Sequence, residues 1–123
     1  MTWSYGQGTG QMSQDGVLVA TGYSGAGAGK NNPDMQDAHN VGPIPIGRYT
    51  FGAPVDTVTH GPYVLPLIPD PDNEMFGRSA FLCHGDSVAR PGTASQGCLI
   101  FPRSIRETIW DSGDTTLEVV SGN

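Results

Sequence analysis

The sequence predicts a mainly β domain, a mostly antiparallel β sandwich or small barrel carrying one short helix at about 104–111. Three observations lead there. Glycine (18) and proline (10) are abundant beside a hydrophobic content of 37%, which favours short strands and turns over long helices. The apolar runs are short and separated by turn residues. Only one stretch, after Phe101, has helical spacing with boundaries at both ends. At 123 residues the chain reads as a single domain, 1–123, long enough for one core.

Taken in order, residues 2–12 place Trp3, Tyr5, Thr9 and Met12 among glycines, a poor helix and a twisted edge strand. Asp15-Gly16 is hairpin-turn chemistry leading into a strand at Val17–Thr21. Residues 22–42 lack periodicity and read as a long loop, of the sort that is functional or disordered in a compact domain. Its Gly25-Ala26-Gly27-Ala28-Gly29 run reads equally as a flexible connector, and without a Gly-Lys-Ser/Thr ending it is not a phosphate loop. Gly42-Pro43-Ile44-Pro45-Ile46-Gly47 is stiffened by its prolines and feeds an edge strand at 48–51. Residues 52–61 form a loop in which His60 receives no role. Residues 63–68 are apolar with Pro66 inside, hence an edge or bent strand. Pro69 to Asn73 is a turn whose acids, with Glu74, form a solvated face. In the helix, Ser104 and Glu107 make a capping box, Ile105 and Ile109 share a face, and Gly113 is the stop. Residues 115–120 close the sheet.

A net charge of −6 with six unclustered basic residues argues against nucleic acid as a partner. No apolar stretch approaches the roughly 18 residues that would span a bilayer, so no membrane insertion is expected. The opening Met1-Thr2-Trp3-Ser4-Tyr5-Gly6 has neither a basic nor an apolar leader region. Synthesis in the cytoplasm without a signal peptide is the expectation, and two cysteines fit a reducing compartment.

The chemistry concentrates in residues 84–98. One apolar run, Ala80-Phe81-Leu82-Cys83, delivers His84 and then Gly85. A Ser-, Pro- and Gly-rich loop follows and closes on Ser95-Gln96-Gly97-Cys98, and Leu99-Ile100-Phe101 leads away. Two buried strands in one hairpin-like unit would then carry an imidazole and a thiol, the pair needed for a cysteine nucleophile with a general base. Gly97 keeps bulk away from Cys98 and leaves backbone N–H groups for an oxyanion. Two plainer readings compete: a Cys83–Cys98 disulfide worth about 3 kcal/mol, and His84 as an ordinary strand-end histidine. Strand alternation sends Cys83 and His84 to opposite faces, which favours Cys83 as a buried apolar residue and Cys98 as the free thiol. A lowered thiol pKa at Cys98 would separate a nucleophile from a structural cysteine. His39, His60, His84 and the cysteines lack paired ligand spacing, so no metal is expected.

His84, Gly85, Ser95, Gly97, Cys98 and Leu99 resemble the YkuD-type L,D-transpeptidase signature, in which His-Gly precedes Ser/Thr-x-Gly-Cys and an aliphatic residue. The resemblance is closest to the small type VI secretion L,D-transpeptidase effectors. It extends through Tyr23-Ser24-Gly25, Asn31-Asn32-Pro33, the 42–49 segment and Arg78-Ser79-Ala80-Phe81, most of the chain. Gln96 stands where many superfamily members have a second histidine, and Ile100 where many have arginine. The resemblance implies an L,D-transpeptidase-type sheet, with the 48–51 strand as one wall of the site. It implies a peptidoglycan-acting L,D-transpeptidase or L,D-carboxypeptidase that needs no cofactor. Cys98 would attack the third residue of a stem tetrapeptide, D-alanine would leave, and the thioester would pass to water or to an amine. Cys98, His84, Ser95 and Gly97 would be catalytic, a backbone carbonyl near Ser95 positioning the imidazole. Tyr23, Ser24, Gly85, Asp86, Arg90 and Gln96 would meet substrate, with Arg90, Arg103 and Arg78 as candidates for its carboxylate. The implied partners are stem peptides, a secretion apparatus and a cognate immunity protein, and the implied destination is the target-cell periplasm. A Cys-His peptidase or amidase of other specificity, or a non-catalytic wall-binding module, fits the residues as well.

Overall fold

A computed structural model describes residues 2–122 as a mainly β fold: nine strands in one mixed, open sheet and a single α-helix, consistent with a small β sandwich. The strands are β1 (Trp3–Gly6), β2 (Gln11–Gln14), β3 (Val17–Thr21), β4 (Gly47–Phe51), β5 (Val55–Thr57), β6 (Gly61–Pro69), β7 (Leu82–His84), β8 (Leu99–Ile100) and β9 (Thr116–Val120). The helix α1 (Arg103–Asp111) lies between β8 and β9. Across the sheet the order is β3-β2-β1-β9-β4-β6-β7-β8, with β5 pairing β6 beside β4. All pairings are antiparallel except β1 with β9 and β7 with β8.

Period-two alternation builds the core. Trp3 and Tyr5 in β1, Tyr49 and Phe51 in β4, and Leu117 and Val119 in β9 are buried, while Arg48, Thr50, Glu118 and Val120 face out. Register stacks these inward residues across the strands, Trp3 opposite Leu117 and Leu117 opposite Tyr49. From α1, Ile109 is fully buried and Ile105 packs against the same cluster, as their shared helix face requires.

The Asp15-Gly16 hairpin forms as read, both residues having positive φ (50° and 84°) and joining β2 to β3. Several other expectations are corrected. The first strand is interior, between β2 and β9, because Gln7–Gly10 turns the chain early and gives it a second partner. β4 is likewise interior, between β9 and β6. β6 is a nine-residue central strand in spite of Pro66. Pro66 falls at the gap where β6 changes partner from β4 to β5, so its missing N–H interrupts no ladder there. Its carbonyl accepts from Gly52 N–H at 2.8 Å. The 52–61 loop contains β5 and forms a hairpin with β6. The helix starts at Arg103 with Pro102 as its N-cap, and the expected Ser104–Glu107 capping box is absent. Glu107 instead pairs with Arg103.

The most consequential correction concerns β7 and β8. They are not a hairpin but a parallel pair, Cys83 opposite Leu99 and His84 opposite Ile100. The 22–42 segment is built rather than slack. Two 3₁₀ turns (Gly27–Gly29 and Pro33–Met35) shape it, and Tyr23 forms a single antiparallel bridge to Ile100. That bridge ties the segment after β3 to the other end of the sheet. Gly22 permits it, since a Cβ there would collide with the Ile100 carbonyl.

Candidate active site

Parallel pairing with this register decides which side chains meet. Residues opposite one another in a parallel pair project to the same face, and the projection alternates along each strand. Cys98 lies level with Leu82, one position before the Cys83–Leu99 pair, so Leu82, His84, Cys98 and Ile100 share one parity. Cys83 and Leu99 share the other, and both are wholly buried in the core. His84 and Cys98 are therefore diagonal neighbours on one face, about 8 Å apart at the backbone from the strand rise and spacing. Both cysteines are free thiols, so the disulfide alternative is not realised.

His84 is 3% exposed. Its Nδ1 lies 2.8 Å from the carbonyl of Gly85, which can only accept, so Nδ1 carries the proton and Nε2 keeps its lone pair. Nε2 is buried and has no hydrogen-bond partner among the described residues. The positioning carbonyl is that of Gly85, not one near Ser95 as the resemblance implied. On the ring's face sits His60, centroid to centroid 4.7 Å at 52°.

Cys98 is held through its backbone. The Ser95 hydroxyl donates to the Cys98 carbonyl at 2.7 Å and accepts from the amides of Gly97 (3.0 Å) and Gly25 (2.9 Å). The Ser24 hydroxyl donates to the Gly97 carbonyl at 2.8 Å and accepts from Ile44 N–H. Arg78 spreads its guanidinium over the carbonyls of Gln36, Gly42, Pro43 and Gln96 and has no carboxylate partner among the described residues. Gly97, at φ +133°, is required here: a Cβ would lie 2.5 Å from Arg78 Nη2 and crowd Phe81. Ser24, Ser95 and Gly97 are thus clamps on the Cys98 strap. The Gly97 N–H is spent on Ser95, which removes it as an oxyanion donor, while the Cys98 N–H meets no acceptor among the described residues.

The loop between the two strands is pinned at its root. Tyr23 donates its hydroxyl to Asp86 at 2.6 Å and accepts from Ala94 N–H at 2.9 Å. Asp86 also accepts from the amides of Ser87 and Gly92. Lys30 lies over the Tyr23 ring and donates to the Gly92 carbonyl. Burial pushes the Asp86 carboxyl up, but these hydrogen bonds outweigh it and leave it below the ordinary range. Burial, then Asp86, raises the Tyr23 phenol to about 12. Asp86 therefore organises the loop and makes no bond to His84.

A cleft of about 1000 Å³, at the upper end of ordinary ligand sites, is lined by His84, Cys98, Gly85, Asp86 and Gln96 among others. A side pocket of about 200 Å³, with His39, Asn40, Ser79 and Gln96 in its wall, shares residues with it. Tyr23, Ser24, Ser95, Gly97 and Arg90 are outside the cleft lining. Arg90 is exposed on the loop, Arg103 faces Glu107, and Arg78 is committed to carbonyls. Two cleft residues escaped the sequence reading. Arg106 is buried beneath Gly85 and donates to the carbonyls of Tyr63, Phe101 and Pro62. Its signal was an arginine three positions before Ile109 on the helix's apolar face. His60 carried no local signal, because its partner is remote in sequence.

Electrostatics set the resting state. Burial lowers the affinity of His84 for a proton, and His60 and Arg106 lower it further. The Gly85 carbonyl and Asp86 oppose them without prevailing. Burial raises the Cys98 thiol above its ordinary value, although the Leu82 N–H at 3.4 Å and Arg78 pull it down. The expectation of a depressed thiol is therefore corrected: thiol and imidazole rest neutral. Cys83, wholly buried, is raised to about 12. Chemically, the arrangement can take a proton from sulfur at Nε2 as the sulfur attacks a carbonyl.

The Tlde1 domain family model matches residues 19–120, which include every residue of the site. No curated protein and no solved structure matches the chain.

Proposed function

The chain belongs to the Tlde1 domain family of type VI secretion effectors, and on that premise we propose that it is a cysteine L,D-transpeptidase and L,D-carboxypeptidase acting on peptidoglycan stem tetrapeptides. The observation that carries this reading is that Cys98 and His84 lie on one face of the β7–β8 pair. Cys98 and His84 share one cleft, and His84 has its Nδ1 proton tied to Gly85 and its Nε2 open.

Nε2 takes the thiol proton while Sγ bonds to the carbonyl carbon of the third stem residue. The tetrahedral oxyanion collapses, the C–N bond breaks, and D-alanine leaves with the proton returned from His84. Water then cleaves the thioester to a tripeptide carboxylate, or an amine converts it to a new amide. The Cys98 N–H is the free backbone donor for the oxyanion, of a kind worth about 3–4 kcal/mol in comparable sites. Arg106 lines the cleft and Arg78 the side pocket, and both guanidinia are engaged by carbonyls, so the substrate's carboxylates would be met chiefly by neutral donors. Asn40, Ser79 and Gln96, where cleft and side pocket join, are placed for this. As an effector the protein would be carried by a secretion apparatus into a target-cell periplasm, with an immunity protein protecting the producer.

The test is incubation with purified muropeptides followed by mass spectrometry. Loss of D-alanine from tetrapeptides, abolished by Cys98→Ala, is expected. Cleavage at another bond would replace this reading with a peptidase or amidase. Binding without any turnover would leave a wall-binding module.

A further inference from the structure

We infer that His60 is a positioning residue: the β5–β6 hairpin lays its imidazole on His84 and holds that ring with Nδ1 at the Gly85 carbonyl and Nε2 free. A single hydrogen bond, at Nδ1, holds the His84 side chain. One bond fixes one edge of a ring and leaves rotation about it to be stopped by packing. His60 supplies that packing, its ring tilted 52° to the His84 ring with the centroids 4.7 Å apart.

The hairpin is built to present it. Loop tips are ordinarily where order is lowest, yet this one is closed by local hydrogen bonds. The Thr57 hydroxyl donates to the Gly61 carbonyl at 3.2 Å and accepts from His60 N–H at 2.8 Å. The Thr59 hydroxyl lies 2.9 Å from His60 Nδ1. His60 itself is exposed, so its ring is placed by these bonds and by His84, not by burial in the core.

The groups facing His84 are His60 from the hairpin, Asp86 from its own loop and Arg106 from α1. Asp86 is occupied by Tyr23 and amides, and Arg106 by carbonyls. Of the three, His60 alone lays a ring against the His84 imidazole. A charge on His60 would oppose a proton on its neighbour.

The inference rests on the proposed chemistry only in calling His84 the base, so the decisive measurement needs no substrate. The three histidines are followed by NMR across pH in the wild type, His60→Phe and His60→Ala, with ¹⁵N shifts reporting the His84 tautomer. In His60→Phe an aromatic ring still packs on His84 but can carry no charge, so the His84 midpoint moves up and the Nδ1–H tautomer persists. In His60→Ala burial is lost as well, the midpoint moves further up and the tautomers average. An unchanged His84 midpoint and tautomer in His60→Ala overturns the inference. With muropeptides, His60→Ala should lose about tenfold in kcat with little change in KM. Loss confined to KM would make His60 a substrate contact and overturn the positioning role. Inactive wild-type protein with the NMR shifts as expected would sink the proposed function alone.

Discussion

At the residue scale, the two cysteines give the sharpest contrast. They are fifteen positions apart in a chain that has only two, yet strand parity sends Cys83 to the core and Cys98 to the cleft. Cys98→Ala should reduce muropeptide turnover by at least about a thousandfold with the fold intact, whereas Cys83→Ala should keep turnover and cost about 1–2 kcal/mol in denaturant unfolding. Equal losses of turnover would refute the division of roles. The pH behaviour follows from the directions of shift. His84 has a folded pKa below its unfolded one, so its contribution to stability is present above about pH 6.5 and is lost as pH falls toward the folded value. Cys98 is raised, so its contribution is present below about pH 8.5 and is lost as pH rises through the folded value. A stability plateau between those limits is expected, flattened on the acid side in His84→Gln and on the alkaline side in Cys98→Ala. Turnover should follow a bell bounded by the folded values, wider than that interval on both sides, and its limits belong to the pair. His84 and Cys98 were legible from the sequence because their order and glycine flanks are local. The neutral state of the pair was not, because burial and the approach of Arg106 and His60 come from distant parts of the chain.

At the element scale, the Ser95–Cys98 strap is held by groups from outside its own strand. Arg78 is the principal clamp, one guanidinium serving four carbonyls, three of them on the 36–43 segment and one at Gln96. Lysine keeps the charge but cannot reproduce that planar fork. Arg78→Lys should therefore lower stability by about 2 kcal/mol, from carbonyls left unpaired, and speed iodoacetamide alkylation of Cys98 as the strap loosens and exposes the thiol. Unchanged alkylation would show that the strap stands without the clamp. The same scale explains what the sequence concealed. Pro66 reads as an edge residue because nothing local reveals that β6 changes partners there, and β7 and β8 read as a hairpin because parallel pairing is decided by tertiary packing. The Asp15-Gly16 turn, whose geometry is wholly local, was legible outright.

At the scale of the whole molecule, the described helix is far too short to cross a membrane, and the proposed substrate lies in the wall. Expression in a bacterial cytoplasm should be tolerated, while fusion to a secretory leader should deform or lyse the host, and Cys98→Ala should abolish that effect. Harmless secretion of active enzyme would separate the chemistry from toxicity. The parallel pairing of β7 with β8 has one more consequence. Because both strands run the same way, the chain between His84 and Cys98 must travel back the length of the pair, and it does so as a loop rooted at Asp86 by Tyr23 and at Ser95 by Gly25 and Cys98. Its tip, with Val88 to Arg90 exposed, holds none of those anchors and is closed by its own bond from Arg90 N–H to the Ser87 hydroxyl. Reactive centre and tip are thus mechanically decoupled. Substitutions or insertions in the tip can rewrite what the cleft admits, or what an inhibitor grips, while the dyad's alignment is inherited unchanged.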